Sequence, residues 1–386
     1  MNENIYNHKI RIDSLPMVNG RGRDRIYLLL FLFLILPYTL NAQTGHQSKE
    51  SVWSKKELRI LDIGNSYTDN VVSLLPSLAS KLHIDTKDIC LYKMIYAGST
   101  FQAWVNAYHA QNDLKYTFGK VLGALPPTTP IVNDTATPYD SLLLHNVLDK
   151  CQWDVIIIHQ ASLYAPYYEQ YDALPELLSI IRKHQPNALI GTYLIHSYWS
   201  EYGGNNEHSS QDRWRLIAQA TKQMCEDHGI DFIIPYGTAV ENLRLTSYNK
   251  GYDFTKDGTH LAYGLVRYAA SCCYFESTLS KRYGVSISNL NATYDISTDI
   301  SKSQYAESCV NVTNENNTIA QRAALYACQN MYSLKNPEET TNGISSMTIE
   351  GRKSRKHMRG NRLLIEVGDA VYGIDGIKHR LQASQK

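Results

Sequence analysis

The sequence predicts an α/β fold, in which helices cover both faces of a five-stranded parallel sheet and form a three-layer α/β/α sandwich. Short apolar runs alternate with helical stretches between residues 58 and 283, a pattern that is typical of parallel sheets. One run, Val155-Ile156-Ile157-Ile158, is apolar at every position, as expected for a strand buried on both faces. The composition agrees with a globular protein, because 43% of the 386 residues are apolar and 19% are charged.

Five strands and five main helices are predicted from these runs. The predicted strands are 58–63, 89–96, 154–159, 188–195 and 232–235. The predicted helices are 71–82, 171–184, 211–228, 260–283 and 318–332. Right-handed crossovers place the first strand at the centre of the sheet, in the order 2-1-3-4-5 of flavodoxin-like sheets.

The chain divides into four predicted segments. They are a signal peptide at 1–42, a polar lead-in at 43–57, the α/β domain at 58–334, and a linker with a basic tail at 335–386. Residues 110–140 contain Pro126-Pro127-Thr128-Thr129-Pro130 and are predicted to form an irregular excursion from the sheet. The tail is predicted to form a small module of its own.

The amino-terminal segment has the layout of a secretory signal peptide. Arg21, Arg23 and Arg25 precede an apolar run over residues 26–36, and Ala42 supplies a small residue at the expected cleavage position. The run is shorter than the ~20 residues of a transmembrane helix, so an uncleaved anchor is the less favoured alternative. The sequence therefore predicts export to the periplasm, the cell surface or the medium, without a stable membrane span.

A small hydroxyl residue stands at the end of the first predicted strand, in Gly64-Asn65-Ser66. Parallel sheets bind ligands beyond the carboxyl ends of their strands, so Ser66 is a candidate nucleophile. The alternative is a cap, because a serine hydroxyl often binds the first free N–H groups of a following helix. A nucleophile also needs a base, an acid that orients the base, and donors for an oxyanion.

The candidates for base and acid lie far downstream. Asp257 and His260 are three residues apart in the stretch Asp257-Gly258-Thr259-His260. This spacing allows the carboxylate to hold one imidazole nitrogen while the other faces a nucleophile, as Ser-His-Asp chemistry requires. The alternative is an ordinary Asp-Gly turn before a helix.

Candidate oxyanion donors follow three successive strands. They are the Ser66 backbone N–H, Gly98 after the second strand, and the Gln160 side chain after the third. A glycine lets a backbone N–H approach a ligand closely, and an amide side chain can donate another hydrogen bond.

These motifs resemble those of the SGNH, or GDSL-type, esterases and lipases. Gly64-Asn65-Ser66-Tyr67 is similar to the first conserved block of that family, Gly98 to the second-block glycine, and Asp257-Gly258-Thr259-His260 to its D-x-x-H block. The resemblance covers residues 58–283. It implies ester hydrolysis with Ser66 as nucleophile, His260 as base and Asp257 as orienting acid.

The sequence departs from this family at two places. Asn65 stands where the family has aspartate, and His159-Gln160 stands where a G-x-N-D block is expected. A glutamine at this point is closer to some carbohydrate acetylesterases. The tail also loosely resembles the C-terminal sorting segments of exported Bacteroidetes proteins.

Aromatic residues that follow strand ends suggest a sugar-binding cleft. The chain has 28 Tyr against 7 Phe, and tyrosine presents a flat apolar face with a polar tip. The candidate substrate contacts are His159, Trp104, Tyr164 and Tyr198. Ordinary core packing is the alternative for each of them.

The sequence gives no indication of a cofactor, a metal or a nucleic acid partner. The net charge is +1, and no ligand spacing such as H-x-H or H-E-x-x-H is present. We therefore predict an exported serine esterase that acts on small acyl esters, on a small-molecule or glycan substrate. A lipid esterase or thioesterase, and a non-catalytic carbohydrate-binding protein on the same fold, are the alternatives. The oligomeric state is not predicted.

Overall fold

The computed structural model describes residues 49–110, 116–125, 143–204, 208–288 and 290–339, together with the backbone of four short strands between residues 354 and 379. The predicted signal peptide and the proline-rich stretch 126–130 lie outside the described residues. Helices and strands alternate along the domain, with these bounds: α1 Lys49–Trp53, β1 Leu58–Gly64, α2 Ser66–Val72, α3 Leu75–Lys81, β2 Ile89–Ile95, α4 Phe101–Ala110, β3 Thr117–Leu122, α5 Leu144–Leu148, β4 Val155–Ile158, α6 Leu174–His184, β5 Leu189–Tyr193, α7 Ser210–His228, β6 Phe232–Ile234, α8 Tyr236–Arg244, α9 Leu265–Thr278, α10 Ser280–Tyr283 and α11 Asn317–Gln329.

The central sheet has six strands in the order β3-β2-β1-β4-β5-β6. The prediction of a five-stranded sheet is therefore wrong in its count, and the order of the whole sheet differs because a sixth strand is added beside the second. The five predicted strands keep their relative order 2-1-3-4-5. The additional strand is β3, which lies within the predicted irregular excursion and pairs antiparallel with β2 at the edge. The remaining neighbours are parallel, and β1 lies between β2 and β4.

Helices cover both faces of the sheet, as predicted for an α/β sandwich. Leu58 and Ile60 of β1 face one hydrophobic core, which includes side chains of α2, α8 and α9. Leu61 and Ile63 face the other core, which includes side chains of α4, α5 and α6. Alternate residues of a strand point to opposite faces, so β1 is buried on both sides and holds Gly64 and Ser66 at the centre of the sheet.

Two predicted helices differ from the observed ones. The predicted helix 71–82 is divided between α2 and α3, and Pro76 lies in the first turn of α3, where a missing N–H costs nothing. The predicted helix 260–283 begins only at Leu265. Gly264 has a φ of 86°, and Thr255 pairs with Leu261 in an isolated bridge, so the chain around His260 is a hairpin-like loop.

The carboxyl-terminal segment contains a separate antiparallel sheet of four strands in the order β10-β9-β8-β7. Its strands are β7 Ser354–Arg359, β8 Arg362–Val367, β9 Ala370–Gly373 and β10 Lys378–His379. Among the described residues, no helix is both long enough and apolar enough to span a membrane.

Candidate active site

Ser66, His260 and Asp257 form one hydrogen-bonded line. Ser66 Oγ lies 2.7 Å from His260 Nε2, and His260 Nδ1 lies 2.7 Å from Asp257 Oδ2. An ionised carboxylate only accepts hydrogen bonds, so Nδ1 carries the imidazole proton and Nε2 accepts from the Ser66 hydroxyl. All three side chains are partly exposed, so a substrate can reach them.

The carboxylate of Asp257 is stabilised in its ionised form. Burial alone would raise the pKa of Asp257, but hydrogen bonds from the ring and backbone N–H of His260 and from the Thr259 N–H hold that pKa well below its usual range. Oδ1 accepts the backbone N–H of His260 at 2.8 Å and that of Thr259 at 3.1 Å. The charged form is thus fixed in place on three sides.

Asn65, not Ser66, caps helix α2. Its Oδ1 accepts the backbone N–H of Tyr67 at 3.0 Å, and its extended backbone is typical of an N-cap residue. The cap alternative for Ser66 is therefore wrong. Asn65 Nδ2 also donates to the carbonyl of Ser99 at 3.1 Å, which ties the loop of Gly98 to the end of β1. An aspartate could cap the helix but could not make this second bond.

A side chain at position 64 would have no space, because His159 lies directly against Gly64. A Cβ atom at Gly64 would come within 2.1 Å of His159 Nε2. The imidazole is buried, which lowers its pKa to about 4 and keeps it neutral. Its Nδ1 lies 3.2 Å from the Gln160 carbonyl, and its Nε2 lies 3.0 Å from Thr68 Oγ1. The buried His159 thus packs against the end of β1, and the prediction that it contacts substrate is wrong.

The three predicted oxyanion donors differ in their availability. Among the described residues, the backbone N–H groups of Ser66 and Gly98 have no hydrogen-bond acceptor. Gly98 is exposed, with a φ of 68° and open space beside it. The buried Gln160 amide accepts from Phe101 N at 3.2 Å and donates to the Gln170 carbonyl at 3.0 Å. One of its two amide hydrogens is therefore already taken, and its role as third donor stays a prediction.

Only one of the predicted aromatic contacts is exposed. Trp104 is 1% exposed and packs in the core, where the centroids of its ring and the Tyr116 ring are 5.2 Å apart. The prediction that it lines the cleft is therefore wrong. Tyr198 is also buried, with the guanidinium of Arg213 3.7 Å above its ring, and is equally not a surface contact. Tyr164 is 44% exposed.

Tyr164 belongs to a set of exposed tyrosines that we call the tyrosine rim, together with Tyr167 and Tyr202. Tyr167 is 40% exposed and Tyr202 36% exposed. The Tyr202 ring lies against Gly258, in the loop that carries Asp257 and His260, because a Cβ at Gly258 would come within 2.4 Å of it. Tyr202 therefore lies beside the loop that carries His260.

The residues 255–260, which we call the base loop, are anchored by Tyr67 and His196, for which the sequence predicted no such role. The carbonyl of Thr259 accepts the hydroxyl of Tyr67 at 2.8 Å and lies 2.8 Å from His196 Nε2. Both residues follow predicted strands: Tyr67 comes directly after Ser66, and His196 comes directly after the fourth predicted strand. The position of Tyr67, a polar aromatic residue beside the candidate nucleophile, was the available signal, but its partner is distant in sequence.

The base loop follows an unusual left-handed turn. Tyr252, Asp253 and Phe254 have φ values of 52°, 49° and 56°, a conformation that costs roughly 1–2 kcal/mol per non-glycine residue. Arg244 Nε donates to the Asp253 carbonyl at 2.9 Å, and Ser200 Oγ donates to its carboxylate at 3.0 Å. These bonds hold a strained turn directly before the base loop. Among the described residues, no cluster of three His, Cys, Asp or Glu side chains is arranged to hold a metal ion.

The line from Ser66 through His260 to Asp257 has the geometry that the resemblance to SGNH/GDSL-type motifs implies. The profile of the family described as "Domain of unknown function (DUF4886)" matches residues 59–307, more than half of the chain. The chain therefore belongs to the DUF4886 family. Comparison with curated protein sequences gives no match.

Three solved structures are similar to this chain, and the first of them shares its fold. A DUF4886 family protein from Bacteroides uniformis is 23% identical, with a TM-score of 0.56, over 72% of this chain and 98% of that one. A protein from Slackia heliotrinireducens named as an SGNH hydrolase is 17% identical, with a TM-score of 0.34, over 57% of this chain and 98% of that one. A protein from Parabacteroides merdae named as a GDSL-like lipase is 15% identical, with a TM-score of 0.37, over 58% and 96% of the two chains.

Proposed function

We propose that this chain is an exported serine esterase that removes small acyl groups, of the acetyl type, from carbohydrate. The observation that carries the proposal is the line from Ser66 Oγ through His260 to Asp257, in which both contacts are 2.7 Å. The unprotonated Nε2 of His260 faces the hydroxyl that it has to deprotonate.

The reaction follows from this arrangement. Ser66 Oγ attacks the ester carbonyl while His260 Nε2 takes its proton, and Asp257 stabilises the imidazolium that forms. His260 then returns the proton to the leaving alcohol, which leaves an acyl group on Ser66. Water, deprotonated by the same nitrogen, attacks the acyl group and releases the acid and the free enzyme.

Two backbone groups are available to stabilise the oxyanion. The N–H groups of Ser66 and Gly98 have no acceptor among the described residues, so they can donate to the developing negative charge. Removing one such donor typically costs about 10²–10³ in kcat. We assign the third donor to the remaining amide hydrogen of Gln160.

The tyrosine rim supports carbohydrate as the substrate. Exposed tyrosine rings offer flat apolar faces to sugar rings, together with hydroxyls that can bind sugar hydroxyls. Tyr202 lies against Gly258 beside the base, so a sugar on this ring would hold its ester near Ser66.

A second candidate is an esterase for longer acyl chains. Leu163 is 50% exposed next to Tyr164 and could contact an apolar acyl tail. A series of p-nitrophenyl esters separates the two candidates, because a preference for octanoate over acetate would favour the longer-chain activity.

Export is part of the proposal and rests on the layout of residues 1–42. Expression of the full chain in a Gram-negative host, followed by mass determination of the mature protein, tests it. Export predicts cleavage after Ala42, whereas an intact amino terminus in the cytoplasmic fraction would contradict it.

Hydrolysis of p-nitrophenyl acetate tests the proposed activity. We expect turnover by the wild type, and losses of about 10⁴-fold or more in kcat for Ser66→Ala and His260→Ala. Ser73→Ala, at the other end of helix α2, is the matched control and should keep the wild-type rate. Equal rates for the wild type and Ser66→Ala would rule out Ser66 as the nucleophile.

A further inference from the structure

The peptide that precedes His260 is held by two buried donors. The Thr259 carbonyl accepts the Tyr67 hydroxyl at 2.8 Å, and His196 Nε2 lies 2.8 Å from the same oxygen. Tyr67 and His196 are also stacked on each other, with ring centroids 4.3 Å apart and planes inclined by 22°. The two donors therefore reach one oxygen as a single packed unit.

The protonation of His196 follows from its surroundings. Burial and the positive charge of Arg244 lower the pKa of His196 well below its usual value, so the ring is neutral and carries one N–H. A carbonyl only accepts, which places that proton on Nε2. Nδ1, 3.2 Å from the hydroxyl of Tyr236, then accepts from it. The tautomer of His196 is thus fixed from both sides of the ring.

Tyr67 also keeps its proton. Burial raises the pKa of Tyr67 well above its usual value, so its hydroxyl remains a donor to the Thr259 carbonyl. Tyr67 directly follows Ser66 on α2, and His196 lies just beyond the end of β5. The two bonds therefore join helix α2 and the carboxyl end of β5 to the peptide that precedes His260.

Core packing alone would require only that each buried polar group finds a partner. Here Tyr67 and His196 both bond the Thr259 carbonyl, which belongs to the peptide that joins Thr259 to His260. The imidazole of His260 lies 2.7 Å from Ser66 Oγ. A displacement of the Thr259 peptide would move His260 directly, and small misplacements of reacting groups cost large factors in rate.

We propose that Tyr67 and His196 are positioning residues, which hold the Thr259 carbonyl so that His260 stays within reach of Ser66. This inference rests on the proposed function, because it gives His260 the role of base. Neither residue touches the substrate, and both act through the base loop.

Two pairs of variants test the proposal by steady-state hydrolysis of p-nitrophenyl acetate. Tyr67→Phe removes one donor and keeps the stacked ring. His196→Asn places its amide near the former Nδ1 and loses the bond to Thr259, whereas His196→Gln places an amide N–H near the former Nε2. Tyr274→Phe, which removes another buried tyrosine hydroxyl from the same core, is the matched control.

We expect kcat to fall ~10-fold in Tyr67→Phe and ~10–100-fold in His196→Asn, with KM changed by less than about twofold. His196→Gln should recover most of the lost rate, and Tyr274→Phe should keep it. Wild-type kcat in folded Tyr67→Phe and His196→Asn would overturn the proposal. Equal losses in His196→Gln and His196→Asn would also overturn it, because they would indicate a general effect on packing.

A measurement without turnover separates this proposal from the proposed function. Nitrogen NMR of histidine-labelled protein should show His196 as the neutral Nε2–H tautomer from about pH 5 to about pH 8. A His196 ring that titrates in this range, or that carries its proton on Nδ1, would overturn the arrangement even in an active enzyme. An Nε2–H tautomer in a protein without esterase activity would instead leave the contact intact and refute the proposed function.

Discussion

The base loop and the tyrosine rim, which meet where Tyr202 lies against Gly258, differ in how completely they are held. The backbone of the base loop is bonded at more than one carbonyl: that of Lys256 accepts Gln304 N at 2.8 Å, and that of Gly258 accepts Trp199 N at 2.7 Å. The rim, by contrast, consists of side chains that are 36–44% exposed.

This difference separates two tasks. Chemistry needs atoms held within a few tenths of an ångström, and buried, fully bonded groups provide that precision. Recognition of a variable substrate tolerates exposed rings that adjust to what they bind. We therefore expect substitutions in the base loop, or in the buried groups around the site, to change kcat or stability. Substitutions in the tyrosine rim should instead change KM for large substrates.

Beyond Ser66 and His260 themselves, the largest effect is expected from Asp257→Asn. The asparagine oxygen can still accept the N–H groups of Thr259 and His260, but its amide would then donate to His260 Nδ1. This would put the imidazole proton on Nε2, facing Ser66, and we expect kcat to fall by about 10³–10⁴. Steady-state hydrolysis of p-nitrophenyl acetate measures it, with the exposed Asp85→Asn as control. A loss of less than tenfold would contradict the orienting role.

The next largest effect is expected from Gly64→Ala. The added Cβ would come within 2.1 Å of His159 Nε2 and 2.8 Å of Thr68 Oγ1. Overpacking of this kind costs about 1–3 kcal/mol, and it should also lower kcat by displacing Ser66.

Urea unfolding of Gly64→Ala measures the loss of stability. Gly119→Ala, where no atom lies within 4 Å of the added Cβ, is the control. The double variant Gly64→Ala with His159→Ala should be more stable than the sum of the two single losses predicts. Strict additivity would contradict the contact between Gly64 and His159.

A smaller effect concerns Asp62, which lies below the site in the core. Burial raises its pKa to about 7 from an ordinary value of 3.8, although the hydroxyls of Tyr193 and Tyr274 donate to it. Because the folded pKa is the higher one, the stabilisation by Asp62 is fully present below the unfolded pKa and is lost as the pH rises towards 7.

Asp62→Asn should remove this pH dependence, because an amide does not titrate. The free energy of unfolding of the variant, relative to that of the wild type, should increase by on the order of 2 kcal/mol between about pH 4 and about pH 7. Urea unfolding at several pH values measures it. Glu241, whose pKa burial also raises to about 7, titrates in both proteins and cancels in the comparison. Parallel pH curves would contradict the raised pKa.

The smallest effect is expected at the rim. Tyr202→Ala should raise KM for an acetylated oligosaccharide by about 2–10-fold, the factor expected for one aromatic contact, and leave p-nitrophenyl acetate hydrolysis unchanged. Tyr332→Ala removes a tyrosine of similar exposure, beyond the end of α11, and is the control. Equal changes with both substrates would contradict a role in recognising the sugar.

The sequence predicted the parts of the site that depend on local patterns. Ser66 follows a buried strand, and Asp257 and His260 are three residues apart, so these motifs together, with their resemblance to SGNH-type blocks, indicated their chemistry. The structure brings all three into contact. Parallel strands end at one edge of a sheet, and this is why residues almost two hundred positions apart could be expected together.

Features that depend on tertiary partners were missed. Strand β3 was predicted to be part of an irregular excursion, because it joins the sheet only by antiparallel pairing with β2, a partner that the local sequence does not indicate. The roles of Tyr67 and His196 depend on one carbonyl in a distant loop.

Trp104 is a different case, because the sequence did hold the signal. Phe101, Trp104 and Val105 repeat at the spacing of a buried helix face, and all three are buried. The helical period thus predicted the burial of Trp104 better than its position after a strand end did.

The central claim is that Ser66 is the nucleophile activated by His260, and covalent labelling tests it most directly. Wild type, Ser66→Ala, His260→Ala and Ser73→Ala are incubated with a fluorophosphonate probe, and the adduct is located by peptide mass spectrometry. The account predicts one adduct, on Ser66, formed by the wild type and by Ser73→Ala, absent from Ser66→Ala and slowed by about 10²-fold or more in His260→Ala. Labelling of another residue, or an unlabelled wild type that binds glycans without turnover, would contradict it.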